Sequence, residues 1–141
     1  MQLVFNKAEL MSYLNEVFPQ VRDDFVVEEL SPGAVTMRLL VQERHLRPGG
    51  TVSGPSMFAL ADVAVYALVL AHLGAEALAV TTNASFDFMR KPENGRDLLG
   101  EARLLKLGRS LAVGDVLLFS EGKTEPVARS TMTYSIPPKR G

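Results

Sequence analysis

The stretch PSMFALADVAVYALVLAHLGAEALAV, residues 55–80, decides the fold. Between Met57 and Leu73 only Asp62 and His72 are ionisable near neutral pH, and apolar residues fall on every side of the helix this segment would form. Such a helix is either a membrane span or a core helix wrapped by its own protein. The membrane reading fails on Asp62, which costs about 2.5–3.5 kcal/mol at the centre of a span, on the lack of basic flanks, and on the strand-like text that follows. The helix is therefore expected to be a buried one. It should run from Pro55, whose missing N–H suits a first helical position, to His72 or Leu73, with Gly74 ending it.

Upstream, a helix is expected over Lys7–Phe18, with Asn6 and Glu9 at capping-box spacing and Pro19 as a stop. Two strand-like runs, Phe25–Leu30 and Ala34–Val41, flank Ser31-Pro32-Gly33 and read as a hairpin. Downstream the pattern changes to a period of two. Val80, Thr82, Ala84, Phe86 and Phe88 alternate with a more polar set, Thr81, Asn83, Ser85, Asp87 and Met89. Three further strands, Leu98–Leu107, Leu111–Ser120 and Val127–Ile136, are divided by Gly108-Arg109 and by Glu121-Gly122-Lys123. Residues 137–141 form a short Pro-rich basic tail. The order of elements is α+β, and its simplest solution is one antiparallel sheet curled around the long helix. At 141 residues and 47% hydrophobic composition, the chain fits one domain with one core.

Composition removes several classes of function. A formal net charge of -1 offers no basic excess for a phosphate backbone, so nucleic acid is not an expected partner. Without cysteine there is no disulfide framework, thiolate zinc site or cysteine nucleophile. His45 and His72 stand apart without ligand partners at metal spacing, and no metal is expected. The opening MQLVFNKAEL does not have the layout of a secretory signal, which makes the cytoplasm the expected location.

Two features of the helix carry chemistry. Asp62 shares a face with Phe58, Ala59 and Tyr66. Burying its carboxylate uncompensated costs several kcal/mol, so it must reach a cleft, accept strong hydrogen bonds or take up a proton. A purely structural carboxylate at a subunit seam meets the same demand. At the helix entrance, Gly54 offers a free N–H and allows close approach of a ligand carbonyl, while Ser53-Gly54-Pro55 also suits an ordinary cap.

The text GTVSGPSMFALAD, residues 50–62, resembles the signature of PaaI-like (phenylacetate-degradation type) hotdog-fold acyl-CoA thioesterases, which open G-T-x-H-G-G and continue into a helix reading L-A-D. The resemblance extends through VTTNASFDFMRKP (80–92) and LLGEARLLKLGRSLAVGDVLLF (98–119), and covers about Gly50 to Tyr134. It implies hydrolysis of an acyl-CoA thioester to a free acid and coenzyme A, with no cofactor beyond the coenzyme A of the substrate. It places the catalytic acid at Asp62, as general base or nucleophile, and the oxyanion site at Gly54. Ser53 and Pro55 depart from the motif's His and second Gly, so the imidazole is replaced by a hydroxyl. Arg47 stands near the place of an amide side chain in the resembled enzymes. Thr81, then Asn83, are the candidates for holding the attacking water. The turns bearing Arg90, Lys91, Gly108, Arg109 and Ser110 are assigned to the nucleotide phosphates. Met57, Phe58 and Tyr66 would line an apolar acyl pocket. A single curled sheet leaves edge strands open and pairing across a two-fold axis closes them, so a homodimer, paired into a homotetramer, is expected; the resemblance adds that each site is built from the helix entrance of one chain and Asp62 of another. Two other readings stand beside it: an acyl-CoA-binding hotdog protein without turnover, and a hotdog dehydratase or hydratase, weakened by Ser53 where a histidine would be needed.

Overall fold

A computed structural model describes residues 1–138, so the expected basic tail lies, from residue 139 on, outside the described residues. Its elements are α1 (Lys7–Val17), β1 (Phe25–Ser31), β2 (Ala34–Leu39), α2 (Gly54–Leu73), β3 (Val80–Phe88), β4 (Leu98–Leu107), β5 (Leu111–Ser120) and β6 (Ala128–Ser135), with 3-10 turns at Pro19–Val21 and Glu43–His45. The six strands form one antiparallel sheet in the order β1-β2-β4-β5-β6-β3. Helix α2 carries the chain from β2 across the sheet to β3 at its far edge. This is the hotdog arrangement.

Enclosure explains the all-round apolarity of α2. Val63, Val65, Leu68, Val69 and Leu70 point in several directions and are each 5% exposed or less. The helix lies so near the sheet that a Cβ added at Gly100 on β4 would stand 3.2 Å from Leu60, and one at Gly114 on β5 would stand 3.2 Å from Val65. Glycine at these two strand positions admits the helix. At its far end His72 acts as a structural pin. The Gly33 N–H donates to its Nε2 (3.0 Å), so Nδ1 carries the proton and donates to the Leu68 carbonyl (2.9 Å). Gly74 closes the helix at φ 82°, donating to the Leu70 carbonyl.

The expected capping box at Asn6 and Glu9 is present, and Leu10 and Leu14 are the buried face of α1. Pro55 is the second helical residue and not the first, because Ser53 is the N-cap and Gly54 opens the helix.

The face assignment of β3 differs from strict alternation. A bulge at Thr82 shifts the register against β6, so that Thr81 pairs with Tyr134 but Asn83 with Thr133, Ala84 with Met132 and Phe86 with Ser130. Tyr134, Met132 and Ser130 are buried on the helix side. Cross-strand partners share a face, which puts Thr81, Ala84, Phe86 and Phe88 toward the helix and Asn83, Ser85 and Asp87 on the outer face. Thr81 and Asn83, expected on one polar face, therefore point to opposite sides. The alternation does not separate buried from exposed either, since β3 is an edge strand with both faces largely open.

Candidate active site

Asp62 lies two turns into α2, at a cleft of about 370 Å³ lined by Val17, Phe18, Tyr66, Ala79, Thr81 and Tyr134 among others. Among the described residues no Lys, Arg, His or second carboxylate lines this cleft, and Asp62 is their one charged group there. Compensation comes from two hydroxyls. Thr81 Oγ1 donates to Asp62 Oδ1 at 2.6 Å, and Tyr134 Oη donates to the same oxygen at 2.6 Å. Among the described residues no donor meets Oδ2, which leaves one oxygen of this cleft-lining carboxylate without a partner. Burial pushes the Tyr134 phenol well above the usual tyrosine range, and the neighbouring Asp62 charge pushes it the same way. Tyr134 is thus held as a neutral donor.

Tyr134 is the functional candidate that sequence reasoning missed. A signal existed, since it falls inward on β6 in alternation with Met132 and Ser130, and a buried tyrosine hydroxyl needs a partner. That the partner is Asp62 depends on the register across the Thr82 bulge, which local spacing does not disclose. Tyr66 is buried and lines the cleft. Its hydroxyl donates to the Ala77 carbonyl (2.8 Å), so only its ring faces the cleft.

The helix entrance resolves into one free donor. Ser53 Oγ accepts the Ser56 N–H (3.3 Å) and donates to Ser56 Oγ (3.0 Å), so the expected ligand-facing hydroxyl is committed to the cap. The Met57 N–H goes to the Ser53 carbonyl, the Ser53 N–H goes to the His45 carbonyl, and Pro55 has none. Gly54 is left with the unpaired N–H of this turn among the described residues. A Cβ added to Gly54 would meet the Phe88 ring at 3.5 Å, an ordinary contact, so packing within the chain does not demand glycine here.

Within one chain the other candidates are scattered. Gly54 and Asp62 are eight residues apart on a helix, about 12 Å at 1.5 Å per residue, too far to serve one carbonyl together. Phe58 is 39% exposed and packs on Phe86, which in turn packs on Phe88, beside the helix entrance. Met57 is buried in the core. Arg47 is an exposed loop residue whose N–H bonds the Thr51 carbonyl. Arg90 and Lys91 follow β3 at the Phe88 end, where Arg90 pairs with Glu125 (3.0 Å). Gly108, Arg109 and Ser110 sit beside His72 and Leu73 at the other end of α2. The Gly108 N–H, expected to face a phosphate, is bonded to the Leu111 carbonyl (2.8 Å).

Comparison with known proteins agrees with this architecture. Residues 49–127, more than half of the chain, match the family model described as the thioesterase superfamily. A crystal structure from Silicibacter sp. TM1040, of a protein provisionally ascribed thioesterase function, is 78% identical and covers 98% of this chain and 96% of its own, with a TM-score of 0.93. A variant of the phenylacetic acid degradation protein PaaI of Thermus thermophilus is 29% identical over 84% of this chain and 99% of its own, with a TM-score of 0.72. Human acyl-coenzyme A thioesterase 13 is 27% identical over 117 residues, 82% of each protein. With the wrapped helix, the open carboxylate and the free N–H at the helix entrance already in place, the chain belongs to the thioesterase superfamily.

Proposed function

We propose that the protein hydrolyses acyl-CoA thioesters, with Asp62 as general base in a site shared between two copies of the chain. The observation that carries this reading is the state of Asp62, the one charge in its cleft among the described residues, with Oδ1 held by two hydroxyls and no donor on Oδ2. Thr81 gives its proton to Asp62, so its oxygen lone pairs are available to accept a hydrogen from water. A water held between Thr81 and Oδ2 loses a proton to Asp62 as it attacks the thioester carbonyl. The Gly54 N–H of the second copy meets the developing oxyanion, the tetrahedral adduct expels the thiolate of coenzyme A, and a proton returns to the thiolate.

The geometry of β3 supports the sharing. This nine-residue edge strand is exposed along most of its length, and Val80 (57%) and Phe88 (55%) are both open. Natural proteins seldom leave such an edge unpaired. Antiparallel pairing of β3 with its copy about a two-fold axis brings the Phe88 end of one strand beside the Val80–Thr81 end of the other. Gly54 lies against Phe88 and Asp62 is bonded to Thr81, so the free donor of one copy approaches the carboxylate of the other. The same pairing brings Arg90 and Lys91 of one copy toward the partner turn at Gly108–Ser110, because Leu111 and Val80 both lie opposite Ser135. Basic residues separated in one chain then share one mouth for the phosphates.

Thiol release measured over short, medium-chain and aromatic acyl-CoAs tests the reaction. Turnover is expected, with preference for acyl groups that fit beside Phe18 and Tyr66. Saturable binding without release would make the chain a carrier of acyl-CoA instead. The donor is tested separately. Gly54→Pro deletes the N–H behind a Ser53 backbone (φ -75°, ψ 158°) that accepts a following proline; because residue 54 is helical and precedes Pro55, a thermal melt of the variant accompanies the assay. The substitution should lower kcat about 10²–10³-fold, whereas Gly54→Ala, which keeps the N–H, should fall far less. Equal activities of the two variants would remove Gly54 from the mechanism.

A further inference from the structure

We propose that Tyr134 is a positioning residue for hydrolysis, fixing Asp62 through Oδ1 so that Oδ2 alone acts as the base; this rests on the assignment of Asp62 as the base. Oδ1 accepts from Thr81 Oγ1 at 2.6 Å and from Tyr134 Oη at 2.6 Å, the nearer of two acceptors for the tyrosine's one proton, since the Asp62 backbone carbonyl stands 3.0 Å away. A carboxylate oxygen has two lone-pair sites, and two donors fill them. The electron pairs of Asp62 without a donor are therefore on Oδ2.

The two donors converge because of the sheet. Thr81 and Tyr134 are direct cross-strand partners on the helix side, and the register changes immediately afterwards at Thr82. Tyr134 is the more rigid of the pair. It is 2% exposed, its ring stacks on Tyr66 at 6.0 Å between centroids, and Tyr66 is tied to the Ala77 carbonyl by its own hydroxyl. Phe18 meets Tyr66 edge-on (6.1 Å between centroids). A donor so packed does not reorient with each turnover, which is the condition for preorganised electrostatics.

The surroundings make these hydroxyls the compensation for the Asp62 charge. The elements packed against the carboxylate present Tyr66 from α2, Thr81 from β3, Tyr134 from β6, and Phe18 and Gln20 from the segment after α1; beyond Asp62 the titratable groups among them are the two tyrosines. A hydrogen bond to the charged form of a carboxyl favours that form. Removing one of two donors frees a lone pair on Oδ1 and loosens the hold on the side chain.

The test is steady-state turnover of the full-length Tyr134→Phe protein, which keeps the ring and removes the oxygen. Its kcat is expected to fall about tenfold with KM within about twofold. Site-specific 3-fluorotyrosine at position 134, which keeps a donor of nearly the same shape, should hold kcat within about twofold of wild type and keeps the test open if Tyr134→Phe folds poorly. Wild-type kcat in Tyr134→Phe, or a fluorotyrosine protein more than about tenfold below wild type, overturns the proposal. Asp62→Asn measured alongside separates the two claims. If it is inactive while both Tyr134 proteins behave as wild type, only Tyr134 loses its role; if it turns over normally, the assignment of Asp62 falls and Tyr134 with it.

Discussion

Asp62→Asn is expected to fold, to bind acyl-CoA with KM little changed, and to lose about 10²–10⁴ in kcat. The amide keeps the volume of the side chain, and its oxygen accepts the hydrogen bonds that Thr81 and Tyr134 now give to Oδ1. It cannot take a proton from water. A carboxylate present only for structure would behave differently, because Asn would satisfy the same two donors and leave turnover within a few-fold. Steady-state thiol release together with a thermal melt distinguishes these outcomes. A well-folded variant with near-wild-type kcat would remove Asp62 from the chemistry.

Ala84→Glu is expected to dissociate the pair and lower kcat/KM at least 10²-fold, although residue 84 touches none of the reacting groups. Ala84 is the middle residue of β3 and is exposed in the single chain, so a glutamate there leaves the core intact. In an isologous strand pair the central residue meets its own copy, and two carboxylates then face each other across the axis. Separation leaves Asp62 about 12 Å along its own helix from the Gly54 N–H, a distance no thioester carbonyl bridges. Sedimentation velocity should show a slower species with the same secondary structure, and activity should return as protein concentration drives re-pairing. A fully active monomer would refute the shared site.

The helix, the strands and the antiparallel sheet were legible because each is written in local periodicity. The apolar run around Val63, Val65 and Leu68 demanded enclosure, and Gly74, Ser31-Pro32-Gly33 and Gly108-Arg109 marked the turns. Asp62 and Thr81 were legible as candidates, one as a carboxylate on an apolar face and the other through family resemblance, and the structure joins them by a hydrogen bond. What stayed hidden depends on register between distant strands. Asn83 and Thr81 looked like neighbours on one face until the bulge at Thr82 turned them apart. Tyr134 is 72 residues from Asp62 and meets it only through that register. Commitments of individual groups were hidden too. Nothing in Ser53-Gly54-Pro55-Ser56 announces that the Ser53 hydroxyl turns to Ser56 and leaves the Gly54 N–H as the free donor.

Subunit mixing tests the central claim most directly. Asp62→Asn protomers carry an intact helix entrance and Gly54→Pro protomers carry an intact carboxylate, so each homodimer lacks one half of every site. If the two halves come from different chains, unfolding and refolding an equimolar mixture yields hybrid pairs with one complete site each. Random assortment makes half of the pairs hybrid, and activity should recover to about a quarter of the wild-type value. Activity no greater than the mean of the two parent proteins, in a mixture shown to contain hybrids, would mean that one chain supplies both groups and would contradict the account.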